Sequence, residues 1–186
     1  HQKYILWLDK VAVFLQSLKT ADGNFIPVLF RPFHELTGTW FWWGKNNCTP
    51  DQFIALWNFT QDYLITTKNI HHLIYVYNTA DFDDAESFLQ RYPGEKRIDI
   101  LSFDRYQYEG PGGRASFLQV MNKQLDILTK VAVSQNKIAA IAETGYEAIP
   151  DPEWWTGTLY PLLQKYPVSQ VLVWRNAGFM KSTKKM

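Results

Sequence analysis

Ile26-Pro27-Val28-Leu29-Phe30-Arg31-Pro32-Phe33-His34-Glu35-Leu36-Thr37-Gly38-Thr39-Trp40-Phe41-Trp42-Trp43-Gly44 is the stretch that decides how the chain is organised. Its first residues, Ile26 to Phe30, form a continuous apolar run, the pattern of a strand buried on both faces. The run ends on Arg31-Pro32. Glu35 follows at once with His34 beside it, and Trp40, Phe41, Trp42 and Trp43 then crowd together. A buried strand that delivers charge and aromatic surface at its C-terminal end is the building unit of α/β sheets and barrels.

The same alternation extends in both directions. Upstream, Leu8, Val11, Leu15 and Leu18 recur at helical spacing over residues 3–19, and Asp22-Gly23 breaks that helix. Downstream, Thr49-Pro50-Asp51-Gln52 predicts a capped helix start, with Thr49 as cap, Pro50 in the first turn and Gln52 closing a capping box. That helix is expected to reach about Lys68. Leu73 to Tyr77 reads as a second strand, Asp83 to Tyr92 as a short helix stopped by Pro93-Gly94, and Ile98 to Phe103 as a third strand. Ser116 to Asn136 is a long helix with apolar residues at Leu118, Met121, Leu125 and Leu128. Ile138 to Ala142 is the fourth strand. Asp151-Pro152 opens a helix expected to run to Tyr166, and Gln170 to Trp174 is the fifth strand.

Strands alternating with helices predict a parallel sheet covered by helices. An open doubly wound sheet and a (β/α)8 barrel compete for that pattern. Polar and aromatic residues stand at the C-terminal ends of the strands: Glu35, Asn78, Asp104 with Tyr106, Glu143, and Trp174 with Arg175. Their convergence on one face favours the barrel. No glycine-rich phosphate loop follows any strand, which argues against a nucleotide-binding open sheet. The fold class expected is therefore a (β/α)8 TIM barrel, of which this chain covers about five βα units. A whole barrel takes eight strands in about 250 residues. Residues 1–186 are accordingly expected to be a single catalytic domain, incomplete at the N-terminus and clipped at the C-terminus.

Composition narrows the function. The formal net charge is +1, and no basic block precedes the short tail Lys181–Lys185, so neither nucleic acid nor a membrane surface is an expected partner. No apolar run approaches the roughly 20 residues of a membrane span. The single cysteine, Cys48, allows no internal disulfide and fits no metal spacing. Aromatics make up 16% of the chain, a load that serves either a large core or a carbohydrate-contact surface.

A carboxylic acid beside a wall of indoles is what a sugar-cleaving site requires. Indole faces stack on the C–H faces of sugar rings, and their low polarity raises a carboxyl pKa so that the group can act as a general acid. Cleavage of a glycosidic bond takes two carboxyls, and Glu35 and Glu143 are the pair that lies across a barrel mouth. Glu35, near the tryptophans, suits the acid/base, and Glu143 suits the nucleophile. Retention would place the two carboxyl groups about 5–5.5 Å apart, and inversion about 6.5–9.5 Å. Arg31 is expected to pair with a carboxylate such as Glu143 and keep it ionised. Asp104 and Tyr106 can bond a hydroxyl and steady the nucleophile. Trp174 is the expected subsite floor, and His34 can orient Glu35 or contact a sugar hydroxyl. Trp42, Trp43, Trp154 and Trp155 are assigned to core or helix packing, and His71-His72 to structure. Asp81, Asp83 and Asp84 are read as an acidic helix start rather than a cation site. No metal and no cofactor are expected.

These residues resemble glycoside hydrolase family 26, the β-mannanases. The resemblance rests on Arg31-Pro32-Phe33-His34-Glu35, Gly38-x-Trp40-Phe41-Trp42-Trp43-Gly44, Asp104-x-Tyr106, Glu143-Thr144-Gly145 and Val173-Trp174-Arg175-Asn176. Hydrolases of the same clan usually carry Asn before the acid/base, so His34 is discriminating. The resemblance implies a retaining endo-acting hydrolase of β-1,4-mannan, with Glu35 as acid/base after barrel strand four and Glu143 as nucleophile after strand seven. The chain would then hold strands four to eight. By the same likeness His34, Trp40, Tyr106 and Trp174 line the subsites, with Asp104 in support. The partner would be β-mannan or manno-oligosaccharides, and the parent protein could add a further barrel segment or a carbohydrate-binding module. Two alternatives stand beside it: a β-1,3-xylanase or mixed-linkage glucanase of the same family, and a carbohydrate-binding protein without catalysis. A polymeric substrate implies a secreted, cell-surface or periplasmic protein.

Overall fold

A computed structural model describes residues 2–108 and 110–174. The elements run α1 (Gln2–Ser17), β1 (Val28–Phe30), α2 (Pro50–Asp62), β2 (Leu73–Thr79), α3 (Ala85–Leu89), β3 (Ile100–Gln107), α4 (Arg114–Ser134), β4 (Ile138–Tyr146), α5 (Tyr160–Leu163) and β5 (Val171–Val173). All five strands are parallel and stand side by side in chain order, β1-β2-β3-β4-β5. A doubly wound sheet must reverse its strand order at a switch point. No reversal occurs among the described residues, so the sheet is a curled part of a (β/α)8 barrel, and the competition left open by the alternation is settled.

Local chemistry sets the element boundaries. Thr49 Oγ1 accepts from Gln52 N at 3.2 Å while Gln52 Oε1 accepts from Thr49 N at 2.9 Å, the capping box that opens α2. A wider turn over Tyr63–Thr67 carries that helix to its expected end. Gly23, at φ +84°, takes the turn after α1 that a side chain would resist. β1 is shorter than the apolar run because Pro27 has no N–H to give the ladder. The helix expected from Asp151 to Tyr166 is reduced to a wide turn, Trp155–Leu159, and the single α-turn of α5. Pro161 is tolerated only in a first helical turn, so a regular helix can start there but cannot run through it.

Strand side chains alternate between two layers. Tyr75, Tyr77, Leu101, Phe103, Ala139 and Ile141 point toward the helices and join the main core with Phe53, Trp57, Phe88, Met121 and Trp154. Each large side chain removed from water in this way contributes roughly 1.5–3 kcal/mol. Val76, Ile100 and Ala140 form a separate cluster contributed by the strands alone, the inner layer of the barrel. Asn78, Ser102 and Asp104 continue this inner face toward the C-terminal ends.

One irregularity matters for the site. Phe103 pairs with Ile141, but Asp104 pairs with Glu143, so β4 carries one more residue than β3 at this point. The same excess is present against β5, where Ile141 pairs with Val171 and Thr144 with Val173. The bulge at Ala142 reverses the alternation, because side chains change face with every residue. Without it Ala142 would face the barrel interior and Glu143 the helices.

Candidate active site

The site begins where β1 ends. Arg31 leaves the strand, Phe33 turns back into the core, and Glu35 emerges at the barrel mouth. Phe33 packs edge-on against Trp43, Phe53 and Trp57, with ring centroids 5.8–6.2 Å apart. Phe33 and Glu35 both adopt left-handed backbone, at φ +54° and +52°. Such positions cost about 1–3 kcal/mol each in non-glycine residues and persist only where the surroundings enforce them.

The four crowded aromatics divide their work. Phe41 stacks on Trp43 at 4.4 Å, and His34 lies against Phe41 at 4.6 Å, while Trp43 Nε1 donates to the His34 carbonyl at 2.9 Å. These two rings are the seat of His34. Trp40 is 60% exposed and donates from Nε1 to Glu35 Oε2 at 3.0 Å. Gly38 allows this: a Cβ there would lie 2.6 Å from the Trp40 ring. Trp42 packs as assigned, on one face, with its ring edge-on to the buried Phe33 at 6.2 Å. It touches Tyr4 and Trp43 edge-on but remains 51% exposed. Trp43, Trp154 and Trp155 also pack: Trp154 is fully buried, and the other two lie against the core.

Glu143 stands opposite on β4. Arg31 reaches it with Nη2, and Arg31 Nη1 donates to Asp104 Oδ2 at 2.8 Å. Tyr106 donates its phenol proton to Glu143 Oε2. Glu143 thus accepts from a cation and from a hydroxyl, both charge-assisted hydrogen bonds. The expected Arg31–Glu143 pair is present, with Asp104 as an additional partner. Trp174, just past β5, joins His34, Glu35, Tyr106, Tyr108 and Glu143 around a cleft of about 250 Å³. Gly145 makes room for it, since a Cβ there would meet the Trp174 carbonyl oxygen at 2.6 Å.

Partial burial raises the pKa of Glu35; the Trp40 bond opposes this, and the charge of Glu143 adds to it. Burial pushes Asp104 up to about 7 against the pull of Arg31. Burial, reinforced by the bond to Glu143, raises the Tyr106 phenol far above its ordinary value, so it remains a donor. Burial penalises the Arg31 guanidinium, but Asp104 and Glu143 outweigh that and hold it protonated. Burial and Arg31 both lower His34, which is therefore neutral at neutral pH.

Every predicted site residue that the structure describes (Arg31, His34, Glu35, Trp40, Asp104, Tyr106, Glu143 and Trp174) lies at this one mouth. Arg175 and the tail Lys181–Lys185 lie outside the described residues. His72 is structural, stacked on Phe25 at 4.6 Å with its Nε2 against the Leu15 carbonyl at 3.2 Å. Asp84 caps α3, Asp81 pairs with Arg105 and Asp83 with Lys123, so the acidic run is dispersed. Among the described residues no group of three His, Cys, Asp or Glu side chains could hold a metal ion. Sequence reasoning noted Asn78 at its strand end without giving it a role, and it missed Gln107, Tyr108 and Glu147 in the cleft wall. Tyr108, one alternation beyond Tyr106, carried a readable signal; Glu147 follows β4 in a loop and carried none.

Comparison with known proteins agrees with this geometry. The sequence model of glycosyl hydrolase family 26 matches residues 2–156. A mannan endo-1,4-beta-mannosidase of Bifidobacterium adolescentis is 33% identical over 141 residues, covering 74% of this chain and 14% of that protein. One from Thermothelomyces thermophilus is 37% identical over 145 residues, covering 77% and 26%. Among solved structures, a GH26 beta-mannanase from Bacteroides ovatus superposes with a TM-score of 0.86 at 48% identity, over 91% of this chain and 48% of its own. The catalytic domain of a Bacillus sp. JAMB-750 GH26 endo-beta-1,4-mannanase gives 0.87 at 31% identity, over 96% and 49%. The chain spans about half the length of these solved structures and less of the curated relatives.

Proposed function

The chain belongs to glycosyl hydrolase family 26, and from that premise we propose that the protein carrying it is a retaining endo-β-1,4-mannanase, with Glu35 as acid/base and Glu143 as nucleophile. The observation that carries this reading is one cleft holding two glutamates in opposite environments. Glu35 is half-buried with a raised pKa, and Glu143 is held by Arg31 and Tyr106.

The chemistry follows from those environments. Glu35 gives its proton to the glycosidic oxygen as that bond breaks, while a Glu143 oxygen attacks the anomeric carbon and forms a glycosyl ester. Glu35, now ionised, takes a proton from a water that attacks the same carbon. The ester bond breaks, and Glu143 leaves as a carboxylate. Two inversions at one carbon return the original configuration. Arg31 and Tyr106 stabilise Glu143 whenever it is ionised. Trp40 and Trp174 offer indole surface to the sugar rings on either side, and His34 offers a neutral imidazole to a hydroxyl.

The remaining barrel units would seat against β1 and against the face of α1 that leaves Leu6, Trp7, Val13 and Phe14 exposed. They would complete the cleft. A polymer that cannot enter a cell places the protein outside it or in the periplasm. Among the described residues no helix is long and apolar enough to cross a membrane.

The test is release of reducing ends from β-mannan, β-1,3-xylan and mixed-linkage glucan by the full-length protein and by its Glu143→Ala variant. Release from mannan that disappears in Glu143→Ala, with β-configured first product by NMR, is the expected result. Release from xylan or glucan alone would move the substrate within the family. Binding without any release would leave a carbohydrate-binding protein.

A further inference from the structure

Asn78 lies on the inner face of β2, fully buried, and its side chain uses all of its hydrogen-bonding capacity. Oδ1 accepts from the Glu35 backbone N–H at 2.8 Å and from Arg31 Nη1 at 3.1 Å. Nδ2 donates to Asp104 Oδ1 at 2.8 Å and to Ser102 Oγ at 3.1 Å. The Asn78 carbonyl also accepts from Leu36 N at 3.2 Å. One residue therefore holds two successive amides of the segment that carries Glu35.

We infer that Asn78 is the positioning residue of the acid/base: its side chain fixes the left-handed backbone of Glu35 and ties it to the Arg31–Asp104 pair beside Glu143. This rests on the reading of Glu35 as acid/base. Glu35 sits at φ +52°, a conformation that needs outside enforcement. The neighbouring strand holds the amide of Glu35, while its own loop holds only the carbonyl, which accepts from Gly38 N at 2.7 Å. An asparagine fits because the site needs two acceptor positions toward Arg31 and the amide, and two donors toward Asp104 and Ser102. Aspartate supplies the acceptors only, and leucine supplies neither. The coupling has a functional sense: the general acid and the group that steadies the nucleophile share one rigid bracket, so their separation is set by β2 and not by loop motion.

The experiment compares two substrates in the full-length protein. Mannan has a poor leaving group that must be protonated, whereas a dinitrophenyl β-mannobioside has a leaving group that departs without a proton. In Asn78→Ala, kcat/KM on mannan should fall about 10- to 100-fold, and at least about fivefold further than kcat/KM on the dinitrophenyl glycoside, which loses only the tie to the Arg31–Asp104 pair. Glu35→Ala, run alongside, should show the same selectivity more strongly. A folded Asn78→Ala protein that loses both substrates equally, or loses neither, would overturn the proposal. If that variant does not fold, Asn78→Asp decides. It keeps the acceptor for the Glu35 amide, so the ratio of the two activities should stay within about threefold of the parent at pH 5, where one proton can be shared with Asp104. A tenfold or larger fall in that ratio would sink the role. Release from mannan by the parent protein that depends on Glu143 keeps the reading of the site standing whichever way Asn78 behaves.

Discussion

Trp40 Nε1 donates to Glu35 Oε2 at 3.0 Å, and the ring that carries it folds back over Gly38. The bond favours the ionised carboxyl and opposes the burial that raises its pKa. The aromatic wall therefore does two opposing things to the same acid: its bulk raises the pKa, and one indole N–H lowers it.

Replacing the donor while keeping an aromatic ring separates these effects. In Trp40→Phe the Glu35 pKa should rise further. The first chemical step needs Glu35 protonated, so activity is lost as pH rises through that pKa. The alkaline limb of kcat/KM should accordingly move to higher pH. A limb that stays in place or moves down would show that the indole bond does not act on Glu35.

Tyr106 tests the other glutamate. Its phenol donates to Glu143, beside Arg31. Tyr106→Phe removes that donor and little volume. The expected outcome is a fall in kcat of about 10- to 100-fold with an unchanged fold, since one preorganised donor in a dry site is commonly worth that much or more. Circular dichroism and steady-state kinetics on the same preparation check it. A kcat within twofold of the parent would remove Tyr106 from the machinery.

Asp104 makes stability depend on pH in an unusual direction. Its carboxyl rises from 3.8 to about 7 in the folded protein, chiefly through burial. A carboxyl that binds its proton more tightly folded than unfolded contributes stability in full below its unfolded value. That contribution is lost as pH rises to about 7. The melting temperature should therefore fall across this interval by more in the parent than in Asp104→Asn. Equal slopes in the two proteins would contradict the prediction.

Gly145 is a packing constraint behind the cleft. The obstacle to a Cβ is the Trp174 main-chain oxygen, 2.6 Å away, and main chain cannot swing aside as a side chain can. Gly145→Ala should push β5 off the end of β4 and cost about 1–3 kcal/mol. Trp174 should shift with it. Denaturant midpoints and quenching of tryptophan fluorescence by manno-oligosaccharides would register both effects. An undiminished midpoint would mean the strand end yields freely.

Much of this was legible in the order of residues. Helix and strand periods are local properties, so the alternation and the capping box at Thr49 could be read directly, whereas Asp104 and Tyr106, expected just past a strand ending at Phe103, lie inside β3, which runs on to Gln107. The pairing of Arg31 with Glu143 could also be read, because a cation and an anion brought to one barrel mouth attract each other; that Arg31 also binds Asp104 could not. That Trp42 keeps one face exposed was not legible, because an aromatic residue looks the same in a sequence whether its loop turns it inward or out.

By itself the sequence determined the strand–helix alternation and which residues could carry acid/base chemistry, since both follow from side-chain type and spacing along one segment. Only the tertiary structure decided that the strands stand in unreversed order, that the bulge at Ala142 turns Glu143 to the inner face, and that Asn78 of β2 grips the backbone of Glu35 in the loop after β1. Each of these depends on register between separate strands, and register is fixed by how side chains pack across the sheet rather than by any run of residues within it.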